Sequence, residues 1–533
     1  MIKQLTAKID GRQMEDNLEI IDAILDNRGI EDIDAFLKPT IDDLIPFEDM
    51  KNLDKAYEII EDAITMGEKF LVLADVDADG CCSNAIIAKY LCKCGADVEC
   101  IINDGKIHGA ENLDLSLLED IDVMIIVDSL NNDPEVYKKI IETGTKLIVF
   151  DHHLPEDRLL DSGLDFVLVT SAKDYPNEHL SGAGVCLKYV LYADEMNLTD
   201  YADDLWVYAA IGIIADMSDM SVPENRYIAY RGLAQFKNPM VQKMVGNYCF
   251  DSQSVSFSIG PLVNAAMRMK ENEKAMQVFL ADDEDEISEL VKDLKKCREQ
   301  QNEVVAEMLD DLLEQGEAQL DRKCMFFILE HDTEAEITGL IGNKLLAMYQ
   351  RPLFILRLRD GQWAGSMRSV GTDNFLEIAN DTGLCLCQGH PNAAGAFIDE
   401  DKFEQFKEVI EDKLKDIEFS VKIEADIELS PKQINDNLIK QLNAVNRISG
   451  TGFKPVTVLI RTDDYEVSTF STKKHLKVID NETGVLIVKW NCMDWQTMKN
   501  DKPLVAVGTL SSPYYGRVQY YQLAIDEYTQ QND

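Results

Sequence analysis

The stretch FLVLADVDADGCC, Phe70 to Cys82, joins an apolar run to three aspartates, Asp75, Asp77 and Asp79, spaced two apart and followed by Gly80. A continuous apolar run of this kind reads as a strand buried on both faces of a parallel sheet. Two further runs share the pattern. DVMIIVDS reaches Asp128, and KLIVFDHH ends in Asp151, His152 and His153. Helix-length polar–apolar sequence separates the runs, which predicts an α/β domain with a parallel sheet. In such a sheet, ligands bind outside the carboxyl ends of the strands, at a switch in strand order. One acid after a strand is an ordinary cap or turn. Three in succession, the last followed by two histidines, predict a site.

LWVYAAIGIIADMSDM adds Asp216 after an apolar stretch with helical spacing. Asp77, Asp79, Asp128, His152 and Asp216 together make four carboxylates and one imidazole. Carboxylates a few ångströms apart repel, and some must protonate unless a cation joins them. Oxygen-rich ligation with one histidine favours Mn²⁺ or Mg²⁺ over a thiolate-type zinc site. Two ions about 4 Å apart, bridged by Asp128 or Asp77, would clamp a phosphoryl oxygen and activate a water. Asp75 is either a further ligand or a residue that orients one. If His152 ligates, His153 is free to face a substrate phosphate or a leaving oxygen. Asp151 and Asp128 complete the expected catalytic group with His153.

The 533 residues suggest two to four domains, and 46% hydrophobic residues suffice for sizeable cores. With 97 acidic against 52 basic residues the net charge is −45, which argues against a generic polyanion-binding coat but not against a local basic groove. The 12 cysteines contain no C-x-x-C pair; the C-x-C pairs Cys92-Lys-Cys94 and Cys385-Leu-Cys387 come nearest to that spacing. Reduced thiols in a cytoplasmic protein are the expectation. No signal peptide or membrane span is expected.

The chain divides into an N-terminal segment at 1–50 packing on the catalytic domain, a catalytic domain at 51–270 and connecting helices at 271–320. A smaller α/β domain at 321–418 and a C-terminal region at 419–533 follow. The helical pattern at 285–316 reads as a bridge between lobes. The short strands TVLIRT, GVLIVKW, LVAVGTL and YYQLAI suggest a small OB-like β-barrel. Basic clusters at 268–270, 295–298 and 473–477 could meet phosphates, and Tyr514, Tyr515, Tyr520 and Tyr521, with Arg517, could stack bases.

DVDADG, VDS, DHH and GIIAD stand in the order and spacing of the four motifs of the DHH phosphoesterase family, which this chain resembles. GSMRS and QGHPNAAG resemble the family's associated substrate-binding domain. IGPLVNAAMRM, LDNRGIEDIDAFLKP and ISGTGFKP resemble segments of the RecJ group, the single-strand-specific exonucleases. The resemblance implies metal ligation by Asp77, Asp79, Asp128, His152 and Asp216, with His153 beside the scissile phosphate. It implies substrate contacts from Asn264, Arg268, Ser366, Arg368, Gly389, His390 and Gly395. It further implies a monomeric, Mn²⁺- or Mg²⁺-dependent exonuclease. That enzyme would digest single-stranded DNA 5′ to 3′ into 5′-mononucleotides, in repair, recombination or replication and with proteins of those processes as partners. Two alternatives stand beside it: a phosphodiesterase for short oligonucleotides or cyclic dinucleotides, and a non-catalytic DNA-binding replication scaffold. Met267, Leu262 and Gln388 depart from the group's pattern, as does MSDM at 217–220, and the first two would alter the entrance for nucleic acid.

Overall fold

The structure is a computed structural model that describes residues 2–103, 108–329, 335–470, 475–490, 492, 498, 502–515 and 517–530. It divides into two compact units. One holds residues 32–301 and 445–455; the other holds 1–31, 302–444 and 456–533.

The first unit is built on five parallel strands: β1 (Lys69–Ala74), β2 (Asp97–Ile102), β3 (Val123–Val127), β4 (Lys146–Asp151) and β5 (Val167–Thr170). Their order in the sheet is β2-β1-β3-β4-β5, every pair parallel. Residues 70–74, 123–127 and 147–151 are buried throughout, which is why these strands read as unbroken apolar runs. The order reverses between β1 and β3, so the segments after Ala74 and Val127 flank the switch point. Three helices pack around it: α1 (Ala78–Lys93), α2 (Gly182–Asn197) and α3 (Trp206–Ala215). Segment 445–455 belongs to this unit through Arg226. Its Nη1 donates to the carbonyls of Met220 and Ile448 at 3.2 and 3.1 Å, and its guanidinium stacks 3.5 Å over Phe36.

The expected bridge is a 34-residue helix, α4 (Glu284–Glu317), with residues in both units. In the second unit a five-stranded sheet includes the antiparallel neighbours Gln362–Arg368, Ala393–Asp399 and Leu386–His390. The C-terminal region departs from expectation: among the described residues it forms no closed barrel. It is an open eight-stranded sheet whose edges are Ile2–Asp10 and Tyr465–Phe470. Ile2–Asp10 pairs in parallel with Ser420–Leu429, which pairs in parallel with Val458–Thr462. Alternating short strands announce a half-buried sheet, but the alternation is the same whether the sheet closes or stays open. Segment 1–50 is likewise divided, with 1–31 in this second unit and 32–50 in the first. No helix of the described residues is long and apolar enough to cross a membrane.

Candidate active site

The acidic residues predicted from the strand ends converge. Asp77 is the N-cap of α1, its Oδ1 accepting the Gly80 N–H at 2.9 Å. Gly80 is needed there, because a Cβ would lie 2.5 Å from the Asp75 carbonyl oxygen. Asp79, in the first turn of α1, meets the N-terminus of α2. It accepts from Ser181 Oγ at 2.9 Å and from the N–H groups of Gly182 at 2.8 Å and Ala183 at 3.1 Å. A free helix N-terminus favours a carboxylate by its unpaired N–H groups and its dipole. Gly182 also lets Asp128 approach: a Cβ would fall 2.6 Å from Asp128 Oδ1.

Asp128 is 1% exposed and holds φ +56°, the left-handed region that costs an ordinary residue energy and recurs at functional sites. Its Oδ1 is buried without a hydrogen-bond partner, yet His152 Nε2 stands 3.1 Å away. The other ring nitrogen of His152 is 3.8 Å from Asp216 Oδ2. Among the described residues, three overlapping groups offer ligand atoms within 4.8 Å of one another: Asp75, Asp77 and Asp128; Asp79, His152 and Asp216; and Asp128, His152 and His153. The donor set fits a divalent cation, four carboxylates and an imidazole being hard, oxygen-rich ligands around a buried, unpartnered oxygen.

Electrostatics agree. Burial pushes Asp77, Asp79, Asp128 and Asp216 above the ordinary carboxyl range, and neighbouring carboxylates push Asp77, Asp79 and Asp128 further up. Asp151 behaves oppositely. Burial would raise it, but the hydrogen bond and charge of His153 outweigh burial and hold it below the usual range. Its oxygens accept from Leu130 N–H at 2.6 Å, His153 N–H at 2.6 Å and His153 Nδ1 at 2.8 Å. The same hydrogen bond raises His153 to about 9. Asp151 therefore orients His153 and is itself fully occupied.

Asn264 and Arg268 lie on the helix Gly260–Arg268, where Asn264 is exposed and Arg268 Nη1 donates to Gln301 at 3.3 Å. Leu262 and Met267 are buried on that helix, 2% and 6% exposed, and so pack the core instead of shaping an entrance. In the second unit, Ser366, Gly395 and Gln388 form a row across three strands, and Arg368, Ala393 and His390 form the next. Gly389, between them, holds φ +137°. Arg368 is steadied by Asn343 Oδ1 at 3.0 Å from its Nε. Of the basic clusters, Lys295 and Lys296, with Lys243 and Lys292, line a cleft of about 730 Å³. Lys473 and Lys474 lie outside the described residues. Tyr514 is two-thirds exposed on a two-stranded hairpin.

Sequence reasoning missed His108, whose Nδ1 bonds Asp75 Oδ1 at 2.8 Å and whose ring stands edge-on to His153 at 4.9 Å. A lone histidine in the loop after β2 carries no spacing signal. The N–H donors of α2 were missed as well, although SGAG (181–184) is the kind of small-residue run that permits close approach.

Known proteins resemble this chain in sequence and fold. Residues 69–213 match the DHH family, N-terminal domain, and residues 321–416 match the DHHA1 domain. The chain is 28% identical over 489 residues to the SPbeta prophage-derived protein YorK of Bacillus subtilis, spanning 85% of this chain and 84% of that one. It is 26% identical to the single-stranded-DNA-specific exonuclease RecJ of the same bacterium, over 83% of this chain and 58% of RecJ. The crystal structure of RecJ from Thermus thermophilus in complex with Mn²⁺ superposes with a TM-score of 0.75 at 23% identity, covering 100% of this chain and 80% of that one. A crystal structure of exonuclease RecJ bound to manganese gives 0.56 at 26% identity, over 70% of this chain and 97% of that one. The chain thus carries a DHH N-terminal domain and a DHHA1 domain, and over most of its length it is similar to RecJ.

Proposed function

We propose that this chain is a divalent-metal-dependent exonuclease that hydrolyses single-stranded DNA from the 5′ end to 5′-mononucleotides, in DNA repair, recombination or replication. The observation that carries the reading is the buried, unpartnered Asp128 Oδ1 facing His152 Nε2 across 3.1 Å, ringed by Asp77, Asp79 and Asp216. Relatives named single-stranded-DNA-specific exonucleases support the substrate, and a relative bound to manganese supports the metal. Asp77, Asp79, Asp128, His152 and Asp216, with Asp75, would hold Mn²⁺ or Mg²⁺. Bound there, two such ions supply Lewis acidity at the phosphoryl oxygens and a water of lowered pKa.

The chain's own residues do the rest. Asp151 fixes the His153 ring through Nδ1, which leaves Nε2 to hydrogen-bond a phosphate oxygen or, when protonated, to donate to the departing oxygen. Ser366, Arg368, Gly389, His390 and Gly395 present a polar rim with close backbone approach, suited to a strand's phosphates. Arg268 and Asn264 are the candidate phosphate contacts of the first unit. The open C-terminal sheet, with exposed Tyr514, is the candidate surface for bases further along the strand.

The test is incubation with Mn²⁺ and an end-labelled single strand, the matched duplex and a dinucleotide. Stepwise shortening of the single strand from its 5′ end is expected. Cleavage of the dinucleotide alone would instead make the chain a small-substrate phosphodiesterase. Binding of the strand without any cleavage would make it a scaffold.

A further inference from the structure

His108 stands at the site in a frame of its own. Its Nδ1 donates to Asp75 Oδ1 at 2.8 Å, and Ser129 Oγ donates to the same oxygen at 3.2 Å. Ser129 in turn accepts the Gly109 N–H at 2.7 Å, so the residue after His108 is pinned to the segment that follows β3. Asn103 Nδ2 holds the Gly109 carbonyl at 2.8 Å from the other side. The imidazole is therefore set by backbone contacts around it and not by the carboxylate alone.

The arrangement parallels His153 on Asp151, with one difference. Both Asp151 oxygens are taken by donors of the chain. Among the described residues Asp75 has two donors on Oδ1 and none on Oδ2, and its carboxylate belongs to the ligand group with Asp77 and Asp128. Two hydrogen bonds on one oxygen fix the plane of a carboxylate, so the second oxygen acquires a direction. Partners of this kind orient metal ligands, and their removal typically weakens metal binding about 10- to 100-fold.

We propose that His108 is a positioning residue. With Ser129 it fixes Asp75 so that its open oxygen joins Asp77 and Asp128 in holding the cation, and it thereby sets the affinity for divalent metal. The inference rests on the metal-dependent reading of the site and deepens it. It also decides between the two roles open to Asp75, making it a ligand.

The test is Mn²⁺ titration of the full chain by calorimetry, without nucleic acid, for the wild type and three variants. His108→Asn keeps an amide N–H where Nδ1 stood, whereas His108→Gln places its amide where Nε2 stood and loses the bond to Asp75. His108→Ala loses both. Alanine and glutamine are expected to weaken Mn²⁺ binding about 10- to 100-fold, with asparagine within about threefold of wild type. Thermal melts in EDTA check that each variant folds, and the Asn–Gln contrast suffices if alanine does not. Alanine or glutamine binding Mn²⁺ like wild type, or asparagine binding as weakly as glutamine, overturns the inference while leaving the proposed reaction standing. A wild-type chain that binds no Mn²⁺ overturns both.

Discussion

Two buried polar clusters lie in the same unit and solve opposite problems. Lys188 and Glu224, 0% and 1% exposed, meet at 3.1 Å. Tyr175 and Asn177 donate to Glu224 at 2.7 and 2.9 Å, and the Phe47 ring covers the ammonium at 4.9 Å. Charge there is balanced and every strong acceptor has a donor. Among the described residues, the cluster of Asp77, Asp79, Asp128 and Asp216 has His152, His153 and, through Asp75, His108 as nearby bases, and an Asp128 oxygen buried without a hydrogen bond although His152 Nε2 stands 3.1 Å away. Chains rarely bury several acids without compensation, because the desolvation is costly. The first cluster is complete as it stands and serves the fold. The second, on the proposed reading, is completed by a cation from outside.

Asp128→Ala should break the acidic cluster with the largest effect. Cleavage of a labelled single strand should fall about 10³-fold or more, since metal assistance is worth several kcal/mol of barrier. In EDTA the sign reverses for stability. Asp128→Asn should raise the denaturation free energy by about 1–2 kcal/mol, because a neutral amide relieves the burial cost and tolerates φ +56°. Lys188→Met is the counterpart in the balanced cluster. It strands Glu224 and should cost about 3–5 kcal/mol in urea denaturation, with the Mn²⁺ requirement unchanged. Lys188→Met with Glu224→Gln should recover most of that loss. A stabilised Lys188→Met, or a destabilised Asp128→Asn, would erase the distinction between the clusters.

How much of this was legible beforehand follows from the same physics. Strands covered on both faces leave unbroken apolar runs, so β1, β3 and β4 and the acids that end them stand out in the sequence. The long helix was also legible, because its period persists over 34 residues. Ile2–Asp10 was not, since its partner Ser420–Leu429 is some four hundred residues away and a parallel edge pairing has no local signature. Segment 445–455 reads as part of the C-terminal region, but Arg226 and the Met220 N–H bond to Thr451 O at 2.8 Å bind it to the first unit. His108 was illegible for the reason Lys188 was: one titratable side chain discloses its role only when its partner is known.

The acidic cluster also predicts a pH dependence in EDTA. Asp77, Asp79, Asp128 and Asp216 have raised folded pKa values, so the folded state holds their protons longer than the unfolded chain does. Stability must then fall as pH rises from about 4, the unfolded value, through the raised values. His153 adds a fall in the same direction. Its stabilisation is full below about 6.5 and is lost as pH rises through about 9. Asp151, held low, contributes above about 4 and loses its share only in stronger acid. Denaturation in EDTA should thus show stability weakening steadily from about pH 5 to 9, and Mn²⁺ should flatten the carboxylate part. A residual fall between about 6.5 and 9 in Mn²⁺, removed by His153→Gln, is expected if His153 faces substrate. Its absence would place His153 among the ligands.

The finest comparison removes one hydroxyl from each cluster. Tyr175→Phe takes one donor from Glu224, which keeps Lys188 and Asn177, and should cost about 1–2 kcal/mol with Mn²⁺ affinity untouched. Ser181→Ala takes one of three donors from Asp79 and also removes the N-cap of α2, whose hydroxyl accepts from Gly184 N–H at 3.3 Å. The cap alone is worth about 1 kcal/mol, so the two variants should be nearly indistinguishable by denaturation in EDTA. They should separate in calorimetry. Ser181 helps to aim an Asp79 oxygen at the group shared with His152 and Asp216, and its loss should weaken Mn²⁺ binding about tenfold. Equal Mn²⁺ affinity in both variants would mean that the helix N–H groups of Gly182 and Ala183 hold Asp79 without help. The donors around the acidic cluster would then serve the fold, as those around Glu224 do.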